Sequence, residues 1–502
     1  MTDPALARAA EPMVVTKPVL PPLPHNRKLY YGGAWHDPIG GYGETICPAT
    51  GESLGPVAEA DARDVDAAVA SAKAAFAEWR HVPPLERGAL LRRIATVVRD
   101  HAEELALIDA VNCGNPISEA IKDSWASATF IDLFAGLAPE IKGSSMPLGR
   151  DWINVSHREP VGVCARIVAY NHPLLFLCGK MAPAIAAGNC VIMKPPVQAP
   201  LSAYRLMELI DGILPPGVLN VLTGGVACGE ALTGHPDIPI VTLVGSAATG
   251  RAIMRGAADR LKRVMFELGG KNAMVVYPDA DIDRAAAGAV KGMNFGWAGQ
   301  SCGSTSRLFL HDSIHDEVLE KVVAGARAFR PGLPTDPATT MGSLISRAQR
   351  DKVLHYIELA KAEGARLVLG GGAPAAPELA DGFFVEPTIF ADVTADMRVA
   401  QEEIFGPVLS VIRWRNETEL MRQVNSVEYG LTAAIFTRDL TTAHRAAASI
   451  EAGYIWINNT SLHFPGAPFG GFKQSGIGRE ESIDELLEFT QIKHVHTALQ
   501  WK

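Results

Sequence analysis

The chain has 502 residues, 48% of them hydrophobic and 20% charged, and its 46 basic and 55 acidic side chains give a formal net charge of −9. That length exceeds a single hydrophobic core and predicts about two to four domains of ordinary globular composition. The lack of a concentrated basic block argues against a nucleic-acid partner, and no uncharged apolar run approaches the ~20 residues that span a bilayer.

In chain order, residues 1–27 are rich in Ala and Pro without apolar periodicity and are expected to form a mobile tail. A short strand-and-turn region follows over 29–46. Val65, Val69, Ala72, Phe76 and Trp79 then recur at helical spacing. A second helix is predicted over 85–111, ending at the turn-like Asn112-Cys113-Gly114-Asn115-Pro116. From Pro160 onward, β-branched runs at 161–170, 190–193, 219–222 and 238–244 alternate with helical stretches at 174–187, 201–213 and from Ser246. Such alternation predicts a parallel sheet with crossover helices. A second alternating series from Asn272 to about Asn458 predicts a second α/β domain. The polar, strand-like stretch at 143–157 interrupts the first series, and a similar strand at 492–497 closes the chain. Projecting strands of this kind pair across subunit interfaces.

The seven cysteines, Cys47, Cys113, Cys164, Cys178, Cys190, Cys228 and Cys302, are odd in number and contain no C-x-x-C pair. A disulfide framework or structural zinc site is not expected, and a reducing, cytoplasmic setting is. One cysteine differs in its surroundings. In Phe295-Gly-Trp-Ala-Gly-Gln-Ser-Cys302-Gly, Cys302 sits between Gly299 and Gly303 in a loop before a strand, where nucleophiles are commonly presented. The competing reading is a small buried apolar residue, which suits the other six.

Met265-Phe-Glu267-Leu-Gly-Gly-Lys271 places an acidic residue where a strand meets two glycines. A carboxylate there can activate water if burial raises its pKa; an ordinary strand-end charge is the alternative. Ala169-Tyr170-Asn171-His172-Pro173 ends a strand and opens a helix. An Asn amide there can donate to a developing oxyanion, or can simply be a turn residue. Gly245-Ser246 follows an apolar strand and opens a helix, a place for a pyrophosphate, although the G-x-G-x-x-G fingerprint is absent. Lys194 follows the strand at 190–193, on the sheet edge where open α/β folds bind ligands.

Taken together these segments resemble the aldehyde dehydrogenase superfamily from about residue 28 to the C-terminus. The resemblance is carried by Leu29-Tyr-Tyr-Gly-Gly-Ala-Trp35, Pro48-Ala-Thr-Gly51, Glu267-Leu-Gly-Gly-Lys271, Gly299-Gln-Ser-Cys302, Glu402-Glu-Ile-Phe-Gly-Pro-Val408, Asn425 with Tyr429-Gly-Leu431, and Pro468-Phe-Gly-Gly-Phe-Lys-Gln-Ser-Gly476. It implies an α/β fold of two doubly wound domains with a small β oligomerisation arm. The nicotinamide-binding domain would span 28–142 and 159–268, the catalytic domain 269–479, and the bridging segments 143–158 and 480–502. A homodimer or homotetramer is implied, with an aldehyde as substrate, NAD as cofactor and no metal.

Residue by residue, the resemblance makes Cys302 the nucleophile, attacking as thiolate, and Glu267 the general base for the hydrolytic water and for the thiol. It makes Asn171 the oxyanion donor with the Cys302 backbone N–H, and sets Lys180 near the catalytic water. Lys194 and Glu403 match ribose-binding positions, Phe405 the residue beside the nicotinamide, and Gly245 and Ser246 the pyrophosphate site. Val168, Ala169, Tyr170 and Leu268 also match cofactor positions, as do Gly225 and Gly229 in a loop about one residue short. Val197 stands where NAD-preferring members commonly carry a glutamate for the adenosine 2′-hydroxyl, which leaves NADP use open.

Substrate-tunnel positions correspond to His172, Leu175, Phe176, Gly179, Gly296, Ser301, Gly303, His463 and Phe469. Glycines at 179 and 296, where aromatics are frequent, imply a wider tunnel and a bulky, largely apolar or aromatic aldehyde. Two other functions compete. A coenzyme A-acylating member generally lacks a glutamate at position 267. A catalytically idle homologue would have lost the nucleophile, base or oxyanion donor, and all three residue types are present.

Overall fold

A computed structural model describes residues 20–499. Two sheets organise it, each wrapped in its own apolar core. In the first, the strands Leu219–Val221, Cys190–Lys194, Val163–Ile167, Ile240–Val244 and Arg263–Glu267 lie side by side and parallel. Their near-continuous apolar residues are buried on both faces, as a parallel sheet covered by helices requires. Antiparallel strands flank them: Leu29–Tyr31 with Ala34–His36 on one edge, and Gly476–Ile477 on the other. The second sheet runs Arg366–Leu369, Thr388–Ala391, Val408–Trp414, Arg307–His311, Ala273–Val276, Thr432–Phe436 and Tyr454–Ile457, parallel except at the first pair.

The order of the first sheet has a consequence for ligand binding. From Val163–Ile167 the chain winds one way through Cys190–Lys194 to Leu219–Val221, then returns to the other side at Ile240–Val244. The crevice above the carboxyl ends of Val163–Ile167 and Ile240–Val244 is therefore a topological switch point, the usual ligand position in open α/β sheets.

Several expectations need correction. The helix expected over 85–111 is two helices, Pro84–Asp100 and Ala102–Cys113, because His101 leaves helical geometry (φ −114°, ψ 20°). The break lets the first pack on the main core while the second turns toward a separate cluster around Ile108, Val111, Tyr204 and Phe384. A long helix, Ile117–Leu137, begins directly after Pro116, which acts as its N-cap rather than as the end of a turn. The segment 480–502 is not all bridging arm. Helix Ile483–Glu488 lies in it, and Leu486 and Phe489 are fully buried in the first core. Of the expected tail, residues 1–19 lie outside the described part, while residues 24–27 are tied down. Asn26 N–H donates to Glu208 (2.7 Å), and Arg27 Nε to the Pro24 carbonyl (3.0 Å).

The first projecting strand, Trp152–Pro160, is shorter than the expected 143–157 and displaced toward the C-terminus, the second, Thr490–Ala498, is longer than the expected 492–497, and the two pair antiparallel along their whole length. Among the described residues no helix is long and apolar enough to cross a membrane, and no group of three or more His, Cys, Asp or Glu side chains could hold a metal ion.

Candidate active site

The residues after the first sheet's strand ends converge on one cavity. It has a volume of about 240 Å³, and its walls include Ala169, Tyr170, Asn171, Gly245, Ser246, Glu267, Cys302, Glu403 and Phe405. A larger cavity of about 670 Å³ opens beside Gly296, Trp297 and Glu119, but Cys302 does not reach it. The smaller one holds the chemistry, because the nucleophile, base and oxyanion candidates all face it.

Cys302 is half-buried, whereas the other six cysteines are buried and free. Its loop is clamped from the neighbouring strand. Asn272 Nδ2 donates to the carbonyls of Cys302 (2.6 Å) and Ser304 (3.0 Å), and Asn272 Oδ1 accepts from Thr432 N–H (3.0 Å). Gln300 anchors the approach to the loop, accepting from Ile345 N–H (3.0 Å) and donating to the Ser343 carbonyl (3.3 Å). The Cys302 thiol and the Glu267 carboxyl line the same cavity, close enough for each to shift the other's pKa. Burial and the adjacent Glu267 carboxylate push the thiol pKa well above its ordinary value. The candidate nucleophile thus rests as a thiol, because no cation stands beside it to stabilise the charge.

Glu267 is buried, and that burial, with the Glu480 carboxylate adding repulsion, raises its pKa to about 8. One of its oxygens, Oε1, makes no hydrogen bond, which leaves it able to accept from a water. Asn171 is buried too, and its carbonyl accepts from Asn115 Nδ2 (2.8 Å), so the turn is pinned while the Asn171 side-chain amide makes no protein hydrogen bond.

Behind Glu267 lies a buried ion network. Lys180 Nζ donates to Glu480 (2.7 Å), and Arg166 reaches Glu485 (2.9 Å) and Glu480 (3.7 Å). Arg166 also donates to Thr242 Oγ1 (2.9 Å) and lies over the Phe489 ring. Two cations and two carboxylates close the account, so Lys180 is committed to Glu480. Arg166→Met leaves the buried Glu485 without its cation and Glu480 with Lys180 alone, and is expected to cost about 3–5 kcal/mol of stability. A variant that melts with the wild type would show that the network does not hold the fold.

On the cofactor side, Glu403 approaches the backbone closely enough that Gly270 N–H donates to it (3.0 Å). A Cβ on Gly269 would come within 2.1 Å of Glu403 Oε2, so a larger residue there would displace the Glu403 carboxylate. Phe405 takes a left-handed backbone (φ 57°), and Gln349 Nε2 donates to the carbonyls of Ile404 (2.9 Å) and Phe405 (2.8 Å). Its ring meets Tyr170 edge-on at 6.0 Å. Ser246 caps helix Ala247–Ala258, its Oγ accepting from Thr249 N–H. Leu268 packs under Gly250 of that helix, and Val168 N–H donates to the Lys194 carbonyl (3.1 Å). Lys194 runs past Gly229, whose added Cβ would meet Lys194 Cε at 3.9 Å, and Gly225 caps helix Val226–Gly234. Lys194, Val197, Gly225 and Gly229 stand outside the 240 Å³ cavity, toward the far end of the strand edge.

The substrate candidates form two aromatic groups. His172 lies against Phe176 (5.4 Å) and Trp297 (5.4 Å), with the half-buried Leu175 in the same helical turn. His463 lies against Phe469 (4.5 Å) and stacks on Tyr454 (6.0 Å). Gly303 faces Trp456 and the Ser301 hydroxyl. The space left open at the two glycines is bounded by helix Ile117–Leu137, and Gly296 lines the 670 Å³ cavity. A Cβ on Gly179 would touch Phe130 at 3.8 Å, and one on Gly296 would touch Glu119 at 3.4 Å.

Asn115, Gln349, Lys352, Glu480 and Asn272 are additions that sequence reasoning missed. Asn272 directly follows the Glu267-to-Lys271 motif, and a polar residue opening an apolar strand was an available signal. The others are recruited from distant segments and carry none.

Comparison with known proteins agrees with the geometry. Residues 35–495 match the model of the aldehyde dehydrogenase family. The chain is 53% identical over 490 residues to aldehyde dehydrogenase tropH of Talaromyces stipitatus, covering 96% of this chain and 95% of that one. It is 43% identical over 456 residues to a betaine aldehyde dehydrogenase of Cereibacter sphaeroides, covering 90% and 93%. Its fold is similar to the NAD+ complex of an aldehyde dehydrogenase from Bacillus cereus, with TM-score 0.92, 37% identity, and coverage of 95% and 97%.

Proposed function

The chain belongs to the aldehyde dehydrogenase family and is an NAD(P)-dependent enzyme, and from that premise we propose that it oxidises a bulky, largely apolar or aromatic aldehyde to the acid through a thioester on Cys302. The observation that carries the chemistry is that Cys302, Asn171 and a buried Glu267, its pKa raised to about 8, line one cavity.

Because the thiol rests protonated, attack on the carbonyl carbon requires its proton to leave as the C–S bond forms, and Glu267 is the acceptor in contact with it. The Asn171 amide and the Cys302 backbone N–H are the donors available to the oxyanion. The surrounding residues fit a nicotinamide dinucleotide: Gly245 and Ser246 at a helix N-terminus for the pyrophosphate, Lys194 and Glu403 for the ribose hydroxyls, and Phe405 beside the ring. When bound, the nicotinamide accepts the hydride that leaves the tetrahedral carbon, and the product left on Cys302 is a thioester. Once Glu267 has released the thiol proton to solvent, it takes a proton from water as the water attacks the thioester carbonyl; the Cys302 thiolate is expelled and regains its proton from Glu267 as the acid leaves. Lys180 and Glu480 sit one layer back and set the charge that Glu267 feels.

NAD is the expected cofactor, as in the Bacillus cereus complex, and Val197 does not repel a 2′-phosphate as a carboxylate would. Assembly as a homodimer or homotetramer is supported by exposed apolar side chains on the paired strands, Ile153, Ile492 and Val495. The reading is tested with a panel of acetaldehyde, long-chain aldehydes and benzaldehydes run with NAD and with NADP. The expected result is higher kcat/KM for the bulky members, with free acid as product; a preference for acetaldehyde defeats the substrate assignment.

A further inference from the structure

The cavity of about 670 Å³ shares no wall residue with the catalytic one, and of the substrate candidates it takes in Gly296 alone. Three helices border it. Ile117–Leu137 contributes Glu119 and Lys122, Ile282–Gly292 contributes Asp283 and Lys291, and His315–Ala326 contributes Lys321. Between these charges the walls are apolar, with Val290, Trp297, Leu462 and the ring pair Phe295 and Phe329 (5.6 Å). The volume is that of a small-molecule site, for which about 300–1,000 Å³ is usual.

The charges around the cavity decide what it can attract. Two of its three lysines are already committed: Lys122 Nζ pairs with Glu119 (2.8 Å) and Lys321 Nζ with Asp283 (2.6 Å). Lys291 forms no ion pair or side-chain hydrogen bond among the described residues. Asp283, on the same helix, lies eight residues away, about 12 Å along the axis, and is held by Lys321. Lys291 stands in the last turn of its helix, where its charge suits the helix dipole. That role leaves its ammonium N–H groups free to donate. One positive charge therefore remains over, which matches a monoanion and leaves a dianion such as phosphate half uncompensated.

We propose that this cavity is a second ligand site for an amphipathic monocarboxylate, its carboxylate held by Lys291 Nζ and its aryl or short alkyl body lying against Phe329, Trp297 and Leu462. The site goes beyond the aldehyde-oxidising reading and does not depend on it. Both halves of the ligand are needed. A solvated ion pair alone is worth little, so the apolar body supplies the buried area and the charge supplies the preference for an acid over its neutral analogues.

The test is a calorimetric titration of the full chain, with NAD bound, using 4-phenylbutanoate, its uncharged amide 4-phenylbutanamide, and acetate. The acid should bind once per chain, the amide about tenfold more weakly, and acetate without saturation. Raising the salt should narrow the acid-to-amide ratio, in a series that needs no variant. Lys291→Met should bring the acid to the amide's affinity and leave aldehyde kcat/KM unchanged, while Lys291→Arg should keep most of the preference. Alkylation of Cys302 with iodoacetamide crowds the catalytic cavity and should leave the acid's affinity as it was. Equal affinity for acid and amide in the wild type, an unchanged acid affinity in Lys291→Met, or no saturable binding of the acid overturns the proposal. So does loss of acid binding on alkylation, or a fall in aldehyde kcat/KM in Lys291→Met, since either result places the acid in the catalytic path.

Discussion

Cys302→Ala is expected to lower aldehyde-dependent reduction of the dinucleotide by at least about 10⁴-fold, equivalent to about 5.4 kcal/mol of lost transition-state stabilisation. The size follows from covalent catalysis: without sulfur there is no tetrahedral adduct from which hydride can leave, and no other cysteine can substitute. The six others are buried, and Cys164, Cys178 and Cys190, packed in the first core, have pKa values pushed up by burial. Alanine removes only the sulfur, while Asn272 holds the loop through the backbone carbonyl of residue 302, which alanine keeps. The variant should therefore fold and still bind dinucleotide. Initial rates with saturating aldehyde, beside a fluorescence titration of the dinucleotide, check both halves. Residual activity within tenfold of wild type would remove Cys302 from the mechanism.

Glu267→Gln should cost about 10²–10⁴-fold in turnover, the usual contribution of a general base. Its signature is in the pH profile. A base works ionised, and burial with Glu480 beside it has raised the Glu267 pKa to about 8. Wild-type turnover should rise between about pH 7 and pH 9, and the variant should lose that rise. Stability moves the other way. A carboxyl whose folded pKa is raised from 4.5 contributes stability that is fully present below 4.5 and lost as pH climbs through about 8. The variant should therefore gain on the wild type in alkaline melts. If hydrolysis is the step most impaired, a first turnover of reduced dinucleotide should appear as a burst followed by a slow steady state. A variant with an unchanged pH profile would assign the base elsewhere.

The same physics explains which parts of the protein were readable beforehand. Alternating β-branched runs and helical stretches were legible because a buried parallel strand must be apolar throughout. Four of the five central strands of the first sheet accordingly fall within a few residues of their expected bounds, and the fifth ends at Glu267 as expected. Glycines that admit another group also left a trace. The double glycine after Glu267 exists because Glu403 and the Cys302 carbonyl crowd it. Helix Ile117–Leu137 left a weaker trace, being apolar and small around much of its surface, so its periodicity is shallow.

By itself the sequence determined the reacting residue types, their spacing and their places at strand ends, since these depend on local chain geometry and on motifs short enough to read. Tertiary structure alone decided their state. Cys302 became a protonated thiol because packing buried it against Glu267 with no cation at hand. Lys180 became a partner of Glu480 because the chain folds residues 300 positions apart onto one another. The space beside Gly179 and Gly296 is bounded by Phe130 and Glu119 from a helix more than forty residues away in sequence. A pKa, an ion pair and the width of a channel are sums over neighbours in space, and a linear sequence does not list those neighbours.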